Sequence, residues 1–268
     1  MPDRECRIRV GTLFLIFLPL ALSVSACHAE TDRVLEERIE QTYPVEPGAT
    51  VSIRNTDGSI RVYGANVSEV KLEATKKAYS AQRLNKIAVN VSAQPGAIVI
   101  DTQYPPKPKW GFFDRSGTVD YVIVIPFMCS ISRLELANGE VLVEGMRGNH
   151  LHASLGKGRL FGHNCFGDIH FEVENGGLDV AYDWWENRKF SVKAEIANGT
   201  ARAFIPSDAS FHLLATSANG NVVSDFPGKH ERERHGANKI DEMVGGASEA
   251  NVNIHATNGS VKIAEANP

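Results

Sequence analysis

The feature that most constrains the fold of this chain is a short phrase that recurs along it. The phrase is an alternating strand, then Asn-Gly or a substitute for it, then a second alternating strand, as in residues 51–62, 134–143 and 252–263. Alternation of apolar and polar residues is typical of a strand with one buried face. Asn-Gly accepts positive φ angles, so a tight turn forms there without a Cβ clash. The pattern therefore predicts an all-β protein.

The spacing of the phrase narrows the topology. Its glycines are Gly139, Gly158, Gly177, Gly199 and Gly220, and a constant step of about 20 residues indicates a repeat architecture. Gly58 precedes Gly139 by close to four such steps, and Gly259 follows Gly220 by close to two. One possible topology is a meander, in which each Asn-Gly is a hairpin turn between antiparallel strands. The constant step nevertheless favours a β-solenoid or β-helix-like array of short strands, with Asn-Gly as its corners.

In such an array the alternate apolar residues fill the interior. These are Leu134, Leu136, Val141, Val143, Leu155, Leu160, Val173, Leu178, Val180, Ile196, Val222, Ile254, Val261 and Ile263. The turn asparagines are expected at one corner as a ladder with a structural role. They are Asn138, Asn175, Asn198, Asn219 and Asn258.

The remaining segments set the domain boundaries. Residues 45–264 are expected to form a single β-repeat domain, with a wider, sandwich-like N-terminal part before residue 130. Residues 27–44 are expected to be a tether, or to include a poorly packed first strand. The polar, Gly-rich residues 228–248 interrupt the repeat where one rung is expected, and they predict a long loop.

Residues 1–26 have the pattern of a secretory signal peptide. Arg4, Arg7 and Arg9 precede an apolar run that ends in small residues, and this run is shorter than the ~20 residues of a membrane-spanning helix. Val24-Ser25-Ala26-Cys27 resembles a bacterial lipobox, in which Cys27 is lipidated. Ordinary cleavage after Ala29 is the alternative. Either way we expect an exported protein, periplasmic or anchored to the outer membrane only through an N-terminal lipid.

Composition excludes some partners. Residues 1–26 hold three of the 28 basic and two of the 32 acidic residues, which leaves 25 basic against 30 acidic residues. This mildly acidic chain lacks the basic stripe of nucleic-acid-binding proteins, so no nucleic-acid partner is expected. Apart from Cys6 and Cys27 near the N-terminus, only Cys129 and Cys165 remain. They could pair in an oxidising compartment or stay as buried thiols.

Two aromatic segments are candidate binding sites. Trp110 lies in a Pro-rich segment, residues 104–113, and Tyr182, Trp184 and Trp185 interrupt the repeat at residues 182–185. Exposed aromatic rings bind sugars or protein partners, whereas packing against the core is the structural alternative. Adjacent residues of a strand point to opposite faces, so at least one of Trp184 and Trp185 is expected at the surface.

No catalytic, metal or cofactor signature emerges. His150, His152, His163, His170 and His212 lie in neighbouring units, but no metal-binding motif joins them, so we expect no metal and no cofactor. The acidic residues around Glu172, Asp179 and Asp183 are interpreted as a solvated face. A pair of carboxylates in a cleft beside Trp184 would instead indicate a polysaccharide-acting β-helix enzyme.

The repeated phrase, as in residues 51–64 and 256–263, resembles the bacterial putative-adhesin family of exported β-strand repeat proteins. The resemblance covers most of residues 45–264 and carries over no catalytic residue. It implies a β-solenoid and a role in adhesion or envelope biology. We therefore expect a non-enzymatic envelope protein that presents its β-repeat surface to a protein or glycan. The alternatives are the polysaccharide-acting enzyme and a purely structural envelope lipoprotein.

Overall fold

The fold is all-β. A computed structural model describes residues 34–106, 116–226 and 238–266, of which 71% lie in strands and 3% in helix. The strands are β1 (Leu35–Pro44), β2 (Thr50–Ala65), β3 (Glu69–Ala78), β4 (Ala88–Gln94), β5 (Ala97–Gln103), β6 (Thr118–Pro126), β7 (Ser130–Glu144), β8 (His150–His163), β9 (Asp168–Ala181), β10 (Ser191–Pro206), β11 (Phe211–Asn219), β12 (Val222–Ser224), β13 (Lys239–Val244) and β14 (Asn251–Ala266), and α1 (Ala81–Lys86) is a short helix.

The strands form one open sheet. Its order is β1-β3-β6-β2-β7-β8-β9-β10-β14-β11-β13, with β12 beside β14 and the β4–β5 hairpin beside β2. The six long strands β2, β7, β8, β9, β10 and β14 each contain one glycine with φ between +129° and +145°. We call these the corner glycines, and we call the parts of each strand before and after them its first and second arm. They are Gly58, Gly139, Gly158, Gly176, Gly199 and Gly259.

The long strands pair in parallel, corner on corner. Gly139 pairs with Gly58 and with Gly158, and Gly199 pairs with Gly176 and with Gly259. A hairpin at Asn-Gly would make the two arms pair antiparallel with each other, so these glycines are not hairpin turns. Four of the five predicted asparagines form a ladder: Asn198 donates to Asn175 at 3.2 Å, Asn258 to Asn198 at 3.0 Å and Asn219 to Asn258 at 2.9 Å. The fifth, Asn138, is separated from Asn175 by Lys157 and donates to Asp57 instead.

Three expectations drawn from the spacing are wrong in detail. The corner glycine of β9 is Gly176, not Gly177, because the register pairs Gly176 with Gly158. The segment between Gly58 and Gly139 adds no strand between them, since the two glycines are direct neighbours. No strand is missing before Gly259 either, because β14 lies between β10 and β11. Spacing along the chain does not report which strand is the spatial neighbour.

The core lies between the inner faces of the arms. All fourteen apolar residues predicted to fill the interior are buried, with at most 3% exposure, and they belong to one hydrophobic cluster that draws on both arms. Burial of such a side chain stabilises the fold by about 1.5–3 kcal/mol. The sequence-based prediction of the interior is confirmed.

The segments outside the long strands differ from the expectations. Residues 35–44, assigned to a tether or a first strand, form β1 and pair antiparallel with β3 along its whole length. Residues 239–244, assigned to a loop, form β13 and pair antiparallel with β11. Residues 81–86, which follow β3, form the helix α1, whose N-terminus is capped by the Ser80 side chain. In the part before residue 130, β5 and β6 pair separately with the first and second arm of β2.

Candidate functional site

The aromatic insert, residues 182–185, follows the second arm of β9. Tyr182 is 2% exposed, and its hydroxyl donates a hydrogen bond to the backbone carbonyl of Cys165 at 2.9 Å. Burial raises the pKa of Tyr182 well above its usual value. Although the sequence makes Tyr182 a candidate binding residue, its ring does not face solvent.

Trp185 is partly buried and packs on the core. Its indole N–H donates to the carbonyl of Ser210 at 3.1 Å. Its ring centroid lies 5.1 Å from that of Phe190 and 5.2 Å from that of Phe211. Aromatic pairs at this separation stabilise one another beyond the area they bury. Trp185 therefore joins the loops that follow the second arms to the core.

Trp184 is the exposed member of the insert, at 45%. Its ring lies 6.1 Å from that of the buried Phe166, and its indole N–H donates to Glu186 at 3.4 Å. Burial raises the pKa of Glu186, but the hydrogen bond from Arg147 and the charge of Arg147 outweigh it, so the pKa lies below its usual range. This arrangement is an exposed indole beside a fixed ion pair. Trp110 and Cys27, the other candidate residues, lie outside the described residues.

A groove of about 540 Å³ lies on the outer faces of the second arms. We call it the second-arm groove, and it is lined by Glu140, Leu142, Arg159, Phe161, Asp179, Arg202 and Phe204, with Arg61 at its β2 end. The register places Phe161 of β8, Asp179 of β9 and Arg202 of β10 side by side. Gly177 and Ala181 flank Asp179 on the same face of β9. Because these side chains are small, the surface is lower over β9 than over β8 and β10.

Asp179 holds two arginines across the groove. Its carboxylate is 4% exposed and accepts from Arg159 Nε at 2.9 Å. Arg202 donates two parallel hydrogen bonds, from Nε at 2.7 Å and from a terminal nitrogen at 2.9 Å. These contacts raise the pKa of Arg202. The Arg202 guanidinium also lies 5.7 Å from the centre of the Phe204 ring. The groove thus combines fixed cationic N–H donors with aromatic rings.

We expect Asp179→Asn to lower the free energy of unfolding by about 1–3 kcal/mol, because the two guanidinium groups lose their charged acceptor. The arginine side chains are 57% and 36% exposed, so water offsets part of the loss. Urea denaturation measures the change. Asp241→Asn is the matched control, since Asp241 also contacts two side chains, Lys239 and His212, but at the surface. Equal losses in the two variants would contradict this account.

The three carboxylates that were candidates for a catalytic pair, Glu172, Asp179 and Asp183, lie in different places on the molecule. Asp179 binds Arg159 and Arg202 on the second arms. Glu172 lies on the first arm of β9, before its corner, and contacts His170 at 3.0 Å. Asp183 accepts from Asn164 at 2.9 Å and lies 3.0 Å from His163. The hydrogen bonds from Asn164 and His163 lower the pKa of Asp183. Each carboxylate has its own partners, and no two of the three share a cleft.

The remaining candidate groups are also placed by the fold. Cys129 and Cys165 are free thiols, and both are buried. Burial raises the pKa of Cys165 to about 12, so this thiol is un-ionised and unreactive at neutral pH. His152 and His170, which no sequence motif joins, are direct neighbours on the adjacent strands β8 and β9. Burial lowers the pKa of His152.

Sequence reasoning missed the second-arm groove, although the chain carries a signal for it. Arg159-Leu-Phe161 and Arg202-Ala-Phe204 repeat the same Arg-x-Phe pattern after two corner glycines, and the unit between them has Asp179. The pattern becomes meaningful only once the pairing register is known, because the register decides which residues of neighbouring strands lie side by side on the outer face. In the part of the chain that the structure describes, no helix is long and apolar enough to cross a membrane.

Comparisons with known proteins show the fold. No family model matches the chain, and no curated protein matches it either. A crystal structure described as a putative cell adhesion protein from Clostridium sporogenes is 16% identical, covers 86% of this chain and 100% of its own, and superposes with a TM-score of 0.50. The fold of that protein agrees with the resemblance carried by the repeated phrase.

Two further structures superpose with lower scores. A putative adhesin from Bacteroides fragilis is 9% identical, covers 85% of this chain and 97% of its own, and has a TM-score of 0.30. A putative lipid binding protein from Parabacteroides distasonis is 10% identical, covers 87% of this chain and 95% of its own, and has a TM-score of 0.23.

Proposed function

We propose that this chain is a non-enzymatic binding protein of the cell envelope that holds a glycan in the second-arm groove. In this proposal the corner-stacked strands are the rungs of a β-solenoid-like array, and the array is a rigid support for the groove. The observation that carries the proposal is the alignment of Phe161, Asp179 and Arg202 on three adjacent strands. Sites built on strands keep their geometry better than sites on loops.

The chemistry of the groove favours a sugar. Ring faces of Phe161 and Phe204 offer flat apolar surfaces, and guanidinium N–H groups offer fixed hydrogen-bond donors. Binding sites for polar organic ligands combine apolar walls with a few well-placed polar groups in this way. The groove reaches from Arg61 of β2 to Arg202 of β10, four strand spacings or about 19 Å, so it suits an extended chain.

A binding role is favoured over catalysis by the use of the carboxylates. Hydrolysis of a glycoside needs two carboxyl groups about 5–10 Å apart on either side of the bond. Asp179 and Glu140 both line the groove, but both oxygens of Asp179 are occupied by arginine donors, which leaves Glu140 alone for a reaction that needs two carboxyl groups. The role of Asp179 in our proposal is to orient Arg159 and Arg202 toward the ligand.

An envelope location is part of the proposal. It rests on the signal-peptide pattern of residues 1–26 and on the likeness to a solved structure described as a putative cell adhesion protein. Cys27, as a lipidated residue, attaches the chain to the membrane in this proposal. Trp184 is the second surface of interest, because it is the exposed aromatic residue of the insert.

A glycan array with the purified protein tests the ligand class. We expect binding to a limited set of glycans, and Phe161→Ala or Phe204→Ala should weaken it by about tenfold or more, since each removes an aromatic contact of roughly 1.5 kcal/mol. Met243→Ala is the control, because Met243 is 50% exposed and lies on the edge strand β13.

Two results would contradict the proposal. Loss of binding in Trp184→Ala with unchanged Phe161→Ala and Phe204→Ala variants would move the site to the aromatic insert. Absence of binding across the array, together with capture of a protein partner that depends on Phe161, would exclude a glycan and leave a protein as the ligand of the groove.

A further inference from the structure

Two histidines lie side by side on the outer face of the first arms. The register pairs His152 of β8 with His170 of β9. Their ring centroids are 4.9 Å apart, and the ring planes are nearly perpendicular at 88°. Neighbouring strands are separated by about 4.8 Å, so the pairing alone sets this distance. The two histidines are 18 residues apart in the sequence, with a corner glycine and a loop between them, so the sequence alone does not show that they are neighbours.

Carboxylates complete the cluster. Glu172 lies two residues after His170, on the same face of β9, and its Oε1 is 3.0 Å from His170 Nε2. Glu195 of β10 pairs with Glu172, and its Oε2 lies 2.8 Å from the same nitrogen. One nitrogen each of His152 and His170 and one oxygen of Glu172 lie within 4.8 Å of one another.

The cluster has unused coordination capacity and access to solvent. Among the described residues, no hydrogen bond is made by the imidazole nitrogens of His152. His152, His170 and Glu172 are all partly exposed, so an ion can reach them. Glu135 and Glu195 add negative charge nearby, and Lys193 opposes it through its contact of 2.6 Å with Glu195.

We propose that His152, His170 and Glu172 form a binding site for a divalent transition-metal ion, with Zn²⁺ as the best match. Two imidazole nitrogens and one carboxylate oxygen are zinc ligands. Tetrahedral ligands at about 2.1 Å from the metal are roughly 3.4 Å apart, so small side-chain rotations bring these atoms into place. The fourth position faces solvent and accepts water or a donor from a partner. The site lies on the first arms and is independent of the second-arm groove.

The donor set also determines which ions are excluded. Mg²⁺ and Ca²⁺ prefer oxygen ligands, and Mg²⁺ keeps most of its water. Imidazole favours zinc, copper and nickel instead. The site should therefore discriminate between zinc chloride and magnesium chloride added to the same protein.

Isothermal titration calorimetry with zinc chloride tests the site. We expect one ion per chain for the unmodified protein and no heat of binding with magnesium chloride. His152→Ala and Glu172→Gln should each weaken zinc binding by at least about tenfold, because each removes a direct ligand. His212→Ala is the matched control, since His212 of β11 lies beside the first arm of β14 and has its own carboxylate, Asp241, at 2.9 Å.

Thermal unfolding with and without zinc separates lost binding from lost folding. Zinc should raise the Tm of the unmodified protein and of His212→Ala, and it should not raise that of His152→Ala. The proposal is overturned if the unmodified protein binds no zinc, if His152→Ala and Glu172→Gln bind as tightly as the unmodified protein, or if His212→Ala loses as much affinity as His152→Ala.

Discussion

Replacement of Gly176 by alanine is expected to lower the free energy of unfolding by more than roughly 4 kcal/mol, whereas the same replacement at Gly177 should leave it nearly unchanged. Gly176 has φ of +138°, a region that residues with a Cβ rarely adopt, and a Cβ built there lies 1.9 Å from the carbonyl oxygen of Gly158. Gly177 has no such φ, and its nearest contact would be Arg159 Cγ at 3.8 Å.

The size of the effect follows from two costs that add. A non-glycine residue in this backbone region costs about 1–3 kcal/mol. The contact with Gly158 joins two backbone groups, so no side-chain rotation relieves it and the neighbouring strands must separate. We expect a total loss above roughly 4 kcal/mol, which is a large fraction of the roughly 5–15 kcal/mol that stabilise a typical domain.

Urea denaturation followed by far-UV circular dichroism measures this difference. Gly177→Ala is the control for the loss of chain flexibility that any Gly→Ala change brings. Gly48→Ala is a second control, because Gly48 has φ of +79° and a Cβ placed there has nothing within 4 Å. If Gly176→Ala costs no more than Gly48→Ala, the contact between the corners is not a source of destabilisation.

Tyr182→Ala is expected to lower the free energy of unfolding by about 3–5 kcal/mol, the usual cost of deleting a buried aromatic side chain. The Tyr182 ring packs at 5.1 Å from Phe166 and at 5.3 Å from Trp185. Its loss leaves a cavity in the cluster that joins the insert to the core. It also leaves the carbonyl of Cys165 without the hydroxyl donor.

Two further variants separate the contribution of the Tyr182 hydrogen bond from that of its ring, and compare the buried ring with the exposed ring of Trp184. Tyr182→Phe keeps the ring and loses only the hydrogen bond, so we expect a loss of about 1 kcal/mol. Trp184→Ala removes a half-exposed ring, and we expect a loss below about 1 kcal/mol. Unfolding midpoints in urea at constant m-value give these differences. A loss at Trp184 as large as that at Tyr182 would show that the insert is packed differently.

The candidate sites show how far residue type can predict a role. Tyr182, Trp184 and Trp185 are equally aromatic in the sequence, yet the first is buried, the second exposed and the third intermediate. Alternation predicts that Trp184 and Trp185 differ, and they do. Neither tryptophan lies in a strand, however, because β9 ends at Ala181. Their different exposure therefore comes from the packing of the insert and not from strand alternation.

The sequence by itself determined the all-β class, the inward residues and the Asn-Gly positions within the strands. These are local properties: alternation has a period of two, and Asn-Gly permits the backbone angles of a corner. They hold for a strand whatever its neighbour is.

Only the tertiary structure decided which strands are neighbours. β14 enters between β10 and β11, and Gly58 pairs with Gly139 although β3 to β6 lie between them along the chain. Burial of the inner faces and hydrogen bonding of the sheet act over the whole molecule, and they are indifferent to the order in which the strands were synthesised. Both the second-arm groove and the His152–His170 pair depend on that neighbour relation. For this reason the repeat is visible in the sequence, while both proposed binding sites emerge only from the fold.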